Sequence, residues 1–333
     1  MRKRDAALIA VGALTAATAL KFLTRRSTVD WDRVADLVPH SEHSKFIRVD
    51  GLNLHYQEFG DPGDPTILLI HGYTASVYVW HTSAPMLAEN GYHVIAVDLV
   101  GFGYSDKPAW FDYTIASQAR VVARFLDSIG VGQPIVVGSS YGGAVAATLA
   151  LDYPARVEKL VLVDSVINND VRRLPVLRLA GIKGVGEVIT PFLAGSKMFM
   201  RKRMRRTLSP ASYHLISNER IANIQRPLAA ADGHRSVLAT SRMWDANRIE
   251  EDAHLISQPT LIVWGEDDRV IPVHNAQKLY DAILHSRLVV FKNCGHVPQE
   301  EKSDLFVEFV TEFCRDRKGR VLGTGDEAIE IQS

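Results

Sequence analysis

Gly138-Ser139-Ser140-Tyr141-Gly142-Gly143 is the stretch that decides the reading of this 333-residue chain. An apolar run, Pro134 to Val137, precedes it, and a helix-like stretch, Ala144 to Leu151, follows. Strand, tight glycine turn and helix form the setting in which G-x-S-x-G holds a serine on a strained backbone, hydroxyl outward. Gly138 and Gly142 remove the Cβ atoms that would crowd such a turn. Ser140 has glycines two residues before and after it; Ser139 does not. Ser140 is therefore the candidate nucleophile.

A serine hydroxyl attacks only when a base takes its proton. Leu288 to Phe291 reads as a strand, and Asn293-Cys294-Gly295-His296 as the loop after it. His296 is the candidate base, because it sits in a Gly-His loop after the last core strand. Upstream, Thr260 to Trp264 is a buried-type strand that ends in Gly265-Glu266-Asp267-Asp268. One carboxylate of that loop is expected to orient the imidazole. Asp268 is chosen, with Asp267 as the near alternative. Asp164, after an earlier strand, is a displaced alternative. A further strand, Ile67 to Ile70, runs into His71-Gly72-Tyr73-Thr74. The backbone N–H groups of Tyr73 and Tyr141 are the expected oxyanion donors, and Tyr141 opens a helix whose dipole adds positive potential. His71 is read as a residue that fixes this loop rather than as a second base.

These motifs, with Asp98-Leu99-Val100-Gly101-Phe102-Gly103-Tyr104-Ser105, resemble the α/β-hydrolase superfamily from about Lys45 to Arg315. The resemblance implies a mostly parallel eight-stranded sheet flanked by helices, with a helical cap inserted after strand 6. It implies a Ser140–Asp268–His296 triad and no cofactor. One fold hosts many reactions, so substrate does not follow from it. Haloalkane dehalogenases and epoxide hydrolases resemble the chain but use an aspartate nucleophile. Carbon–carbon hydrolases share the serine triad, yet in many of them a tryptophan follows the catalytic histidine, where Val297-Pro298 stands here. Among membrane-tethered members, the chain is similar to monoacylglycerol-lipase-like hydrolases.

Charge is balanced, with 38 basic and 38 acidic residues, which gives no reason to expect nucleic acid. Cys294 and Cys314 make no disulfide framework. No Cys/His cluster has metal-ligand spacing, so no metal is expected. Residues 1–26 hold Arg2-Lys3-Arg4, an uncharged run from Ala6 to Leu20, then Lys21, Arg25 and Arg26. The run is shorter than the about twenty apolar residues that span a bilayer. It is read as a membrane anchor, or as a signal peptide cleaved after Ala17-Thr18-Ala19, ahead of an ordinary buried helix.

Residues 27–44 read as a linker, 45–165 and 259–316 as two parts of a hydrolase core, 166–258 as the cap, and 317–333 as a disordered tail. Between Val171 and Arg206 there are ten basic residues and one acid, Glu187. Interleaved with apolar side chains, this pattern reads as a membrane-surface element; the alternative is a solvated cap face. Trp80, Met243 and Trp244 are expected to line the pocket, with residues near Leu174 to Ile189. The expected function is hydrolysis of an acyl or lipid ester at a membrane. The alternatives are a carbon–carbon or other non-ester hydrolase, and a non-catalytic binding protein.

Overall fold

Among the described residues, nine strands form one sheet in the order β1-β2-β4-β3-β5-β6-β7-β8-β9. They are β1 (Ser44–Val49), β2 (Leu52–Phe59), β3 (Thr66–Ile70), β4 (His93–Val97), β5 (Ile135–Ser139), β6 (Lys159–Val163), β7 (Thr260–Gly265), β8 (Ser286–Phe291) and β9 (Ala328–Gln332). The computed structural model describes residues 27–172, 174–315 and 327–332. β1 and β2 form a hairpin whose two turn residues, Asp50 and Gly51, both have positive φ, 48° and 84°. That geometry matches the twist of the flanking strands.

Strands β3 to β8 run parallel and are almost continuously apolar, as strands covered on both faces must be. The helix Ile115–Ser128, capped by Thr114, buries Ile115, Ala119, Val122 and Phe125 against one face. Ser303–Arg315 buries Phe306, Val310 and Phe313 against the other. Removing a ring such as Phe125, fully buried, costs about 3–5 kcal/mol through lost burial and the cavity left behind. The helix Tyr141–Asp152 is buried nearly all round, and its Gly and Ala residues let it lie close to the sheet.

The register aligns the strand ends. Ile70 pairs with Gly138, Ser139 with Val163, Val163 with Val263, and Gly265 with Phe291. The loops after β3, β5, β6, β7 and β8 therefore open on one edge, where open parallel sheets hold ligands. The chain between β6 and β7 is helical, including Pro175–Ala180, Val185–Gly195, Lys197–Thr207, Asn218–Gln225 and Ala231–Arg242.

The sheet has one strand more than the expected eight. Ala328 to Gln332 lies in the stretch read as a disordered tail, and it pairs antiparallel with β8. Arg287 on β8 bonds Glu330 at 2.7 Å, and both side chains are buried. The reading from composition missed this because five residues of edge strand lie behind a Gly-rich polar stretch.

Candidate active site

Ser140 sits between β5 and the helix Tyr141–Asp152 with φ 55° and ψ −117°. A non-glycine residue held there is strained, and such strain clusters at functional sites. The neighbouring glycines let the chain pack closely around it. A Cβ on Gly142 would lie 2.2 Å from the Ile70 carbonyl oxygen, and one on Gly72 would lie 3.1 Å from Ser140 Cβ. Gly72 thus brings the loop with Tyr73 alongside the serine.

The structure brings Ser140, His296 and Asp268 together. His296 Nε2 is 3.0 Å from Ser140 Oγ, and its Nδ1 is 2.7 Å from Asp268 Oδ2. Asp268 Oδ1 accepts the N–H groups of Val270 and Ile271 at 2.6 and 3.0 Å, which fixes the carboxylate. Asp267 points elsewhere and accepts from Ser209 Oγ at 3.0 Å. Ser139 Oγ faces Gln299 Nε2 at 3.2 Å. Asp164 is buried behind the acid, and one donor atom each from Asp164, Asp268 and His296 lie within 4.8 Å of one another. Both His296 ring nitrogens are engaged, so this grouping offers an ion no free imidazole lone pair.

Tyr141 is the first residue of its helix, where the N–H has no intrahelical acceptor. The Tyr73 hydroxyl donates to the Val237 carbonyl of the cap at 2.7 Å, which anchors that loop from above. His71 is fully buried. Its Nδ1 donates to the Gly72 carbonyl at 2.8 Å, and its Nε2 accepts from Leu99 N at 3.1 Å. Burial holds its pKa below the ordinary range, so it is a neutral brace. Asp98 supports the same loop by accepting from Val77 N at 2.7 Å.

Above the triad lies a cavity of about 250 Å³, lined by Ser140, His296, Tyr73 and Trp244, and by apolar cap residues such as Leu174, Leu177, Leu193 and Phe199. Trp244 is a wall residue, packed on the Tyr141 ring at 5.0 Å. Trp80 and Met243 are corrections to the expected lining. Trp80 is fully buried under the sheet beside Phe306, because the turn Val77–Trp80 directs it into the core. Met243 is 42% exposed; neighbouring Trp244 turns inward instead.

Three features were not found from the sequence. Arg203, on Lys197–Thr207, reaches the Thr74 hydroxyl beside the serine and lines the cavity. Among the described residues no carboxylate pairs with it, and burial lowers its pKa. Its helical spacing from Phe199, Met200 and Thr207, which share its cavity-facing stripe, was the available signal. Arg220 and Glu300 form a buried ion pair at 2.7 Å between the cap and the turn after His296. Glu301 accepts the N–H groups of Gly295 and Val297 on either side of His296, and that of Ser209 from the cap.

Comparison with known proteins gives consistent neighbours. The chain is 30% identical over 294 residues to a 2-hydroxy-6-oxononadienedioate/2-hydroxy-6-oxononatrienedioate hydrolase of Burkholderia vietnamiensis, covering 85% of this chain and 100% of that one. It resembles the meta-cleavage product hydrolase of Pseudomonas fluorescens IP01, with TM-score 0.70 and 26% identity over 82% of this chain and 98% of that one. It also resembles a structure described as a membrane phospholipase A, with TM-score 0.66 and 27% identity over 94% of this chain and 98% of that one.

The expectation of membrane association is corrected. Among the described residues no helix is long and apolar enough to cross a membrane. Several curated relatives, among them a 2-hydroxymuconate semialdehyde hydrolase of Pseudomonas putida, are named for small oxo-acids rather than lipids. The basic cap segment, read as a membrane face, sends Arg203 into the cavity. Both N-terminal readings, anchor and cleaved signal peptide, concern residues 1–26 and lie outside the described residues. These relatives also give no support to the narrower monoacylglycerol-lipase-like resemblance. A family model described as alpha/beta hydrolase fold matches residues 65–303, and the chain belongs to that family as a hydrolase.

Proposed function

We propose that the chain is a serine hydrolase that cleaves a carbon–carbon bond next to a carbonyl in a small, conjugated oxo-acid. Ser140 Oγ attacks the carbonyl carbon while His296 Nε2 takes its proton and Asp268 steadies the imidazolium. The N–H groups of Tyr73 and Tyr141 receive the oxyanion. The bond to the neighbouring carbon then breaks, and His296 returns the proton to that carbon. Water, activated by the same histidine, releases the acyl group as a carboxylic acid.

The observation that carries the reading is Arg203, a cation without a carboxylate partner among the described residues, beside the serine at the wall of a mainly apolar cavity that Arg172 and Arg206 also line. The leaving carbon of such a substrate develops negative charge that spreads into its acid-bearing half. A guanidinium there binds the carboxylate and stabilises that charge. The similarity to hydrolases named for 2-hydroxy-6-oxo acids supports the same chemistry.

A second reading, hydrolysis of an acyl ester, is supported by the apolar lining and by the similarity to the phospholipase over 94% of this chain. It uses the same triad with an alcohol as leaving group. Turnover of a 2-hydroxy-6-oxo-dienoate, set against short and medium p-nitrophenyl esters, separates the two. Preference for the dienoate, abolished in Ser140→Ala, is the expected result. Turnover of the esters alone would move the assignment to the second reading. Failure of a fluorophosphonate to label Ser140 would remove both.

A further inference from the structure

We propose that Asp164 is a positioning residue for the triad: it stays protonated and donates that proton to Asp268, holding the acid toward His296. This rests on the triad reading above. Asp164 follows β6 directly, with φ 42° and no exposed surface. Its N–H bonds the Val263 carbonyl at 3.0 Å, and its Oδ1 accepts from Gly265 N at 2.9 Å. The side chain is therefore locked to the start of the loop that carries Asp268.

Asp164 Oδ2 is buried, and as a carboxylate oxygen it finds no donor. Asp268 lies beside it; its Oδ1 accepts from both Val270 N and Ile271 N, whereas its Oδ2 is paired with His296 alone and can accept one more hydrogen bond. Two carboxylates this close do not both ionise. A proton on Asp164 Oδ2 removes the conflict, since the hydroxyl then donates to Asp268. Burial and the Asp268 charge both raise the Asp164 pKa well above the carboxylate range. The other titratable groups facing the pair point the same way. Glu301 adds negative charge that disfavours a second anion. Buried Cys294 stays a neutral thiol, its pKa pushed up by burial. His296 pairs with Asp268.

The function of this arrangement is to leave one negative charge behind His296, and to aim it. Without the donor, Asp268 would hold a fuller charge, stabilise the imidazolium more and raise the pH at which His296 becomes a free base.

The test compares Asp164→Asn and Asp164→Ala with the wild type. Infrared difference spectra of the free enzyme near neutral pH should show a protonated-carboxyl band that Asp164→Asn lacks. The isosteric Asp164→Asn, whose amide still donates, should keep kcat/KM on a p-nitrophenyl ester within about threefold, with the acid limb of the pH profile unmoved. Asp164→Ala should lose about tenfold in kcat, with the limb moved to higher pH. No band near neutral pH would overturn the proposal. So would a limb that moves to lower pH in Asp164→Asn, because an ionised Asp164 would then have been removed. An unmoved limb in a folded Asp164→Ala would reduce the residue to scaffolding. If Asp164→Ala fails to fold, the band and the Asp164→Asn profile decide. Fluorophosphonate labelling of the wild type at Ser140 runs alongside: its loss sinks the triad itself, whereas labelling without the band sinks only this proposal.

Discussion

The sheet and the cap contribute to one site by different physics. Ser140, Asp268 and His296 stand on short loops at the ends of parallel strands, and the strand register places them within hydrogen-bond reach. The cap contributes Arg203, Trp244 and an apolar lining from helices whose inward faces follow the 3.6-residue period. On the proposed function, chemistry is thus set where backbone geometry is most constrained, and substrate choice where side chains exchange freely on a helix face. The two halves are joined at the reacting groups. The cap carbonyl of Thr207 accepts the N–H of His296 at 2.7 Å, and Val237 accepts from Tyr73 at 2.7 Å.

If the division holds, the largest effects come from the sheet. Ser140→Ala and His296→Ala should each lower kcat by roughly 10³–10⁶, because such residues act as a unit. Asp268→Asn should follow them, and Asp267→Asn should leave kcat near wild type. Steady-state kinetics on whichever substrate is turned over checks this; a crippled Asp267→Asn beside a healthy Asp268→Asn reverses the acid assignment.

The seam comes next. Arg220→Met or Glu300→Gln leaves one buried polar group unpaired and should destabilise the fold by about 3–5 kcal/mol, and a double change to apolar residues should restore much of it. Urea titration measures both. Single variants as stable as the wild type would mean that the pair does not hold cap to core.

Within the cap, Arg203→Met should cost about ten- to a hundredfold in kcat/KM on a carboxylate-bearing substrate, as loss of a charged hydrogen bond does. A neutral ester should lose much less. Equal losses on both would show that Arg203 shapes the cavity without reading charge.

The smallest effect belongs to His71. Its folded pKa lies below the unfolded value of about 6.5, so the unfolded chain binds more protons below that pH. Its contribution to stability is complete above pH about 6.5 and is lost as pH falls, with a slope of at most about 1.4 kcal/mol per pH unit. Denaturant unfolding at several pH values should give a shallower acid-side slope in His71→Asn. An unchanged slope would mean that His71 titrates alike in both states.

The same division explains what was legible in the chain. Ser140, Asp268 and His296 stood out because each is tied to a glycine and a strand end. The C-terminal ends of β3 and β8, at Ile70 and Phe291, were placed to the residue for the same reason. Cap side chains carry no such punctuation. Arg203 lies among Arg201, Lys202 and Arg205, which are exposed, and a count of charges cannot separate the inward member from its neighbours. Trp80 and Met243 were expected at the cavity because large apolar side chains near a site are natural walls. One belongs to the core under the sheet and the other lies on the outside of a helix end. Arg220 and Glu300 are eighty residues apart, and nothing local marks them as partners.

The short strand Ala328–Gln332 has a consequence for handling the protein. β8 is the strand that leads into the His296 loop, and β9 covers its outer side from Arg287 to Phe291. Trimming the chain before Ala328 would bare a row of main-chain N–H and C=O groups on an apolar strand, the kind of surface that recruits a strand from another molecule. A shortened preparation is therefore expected to self-associate through β8, and the growing contact would begin a few residues from the base.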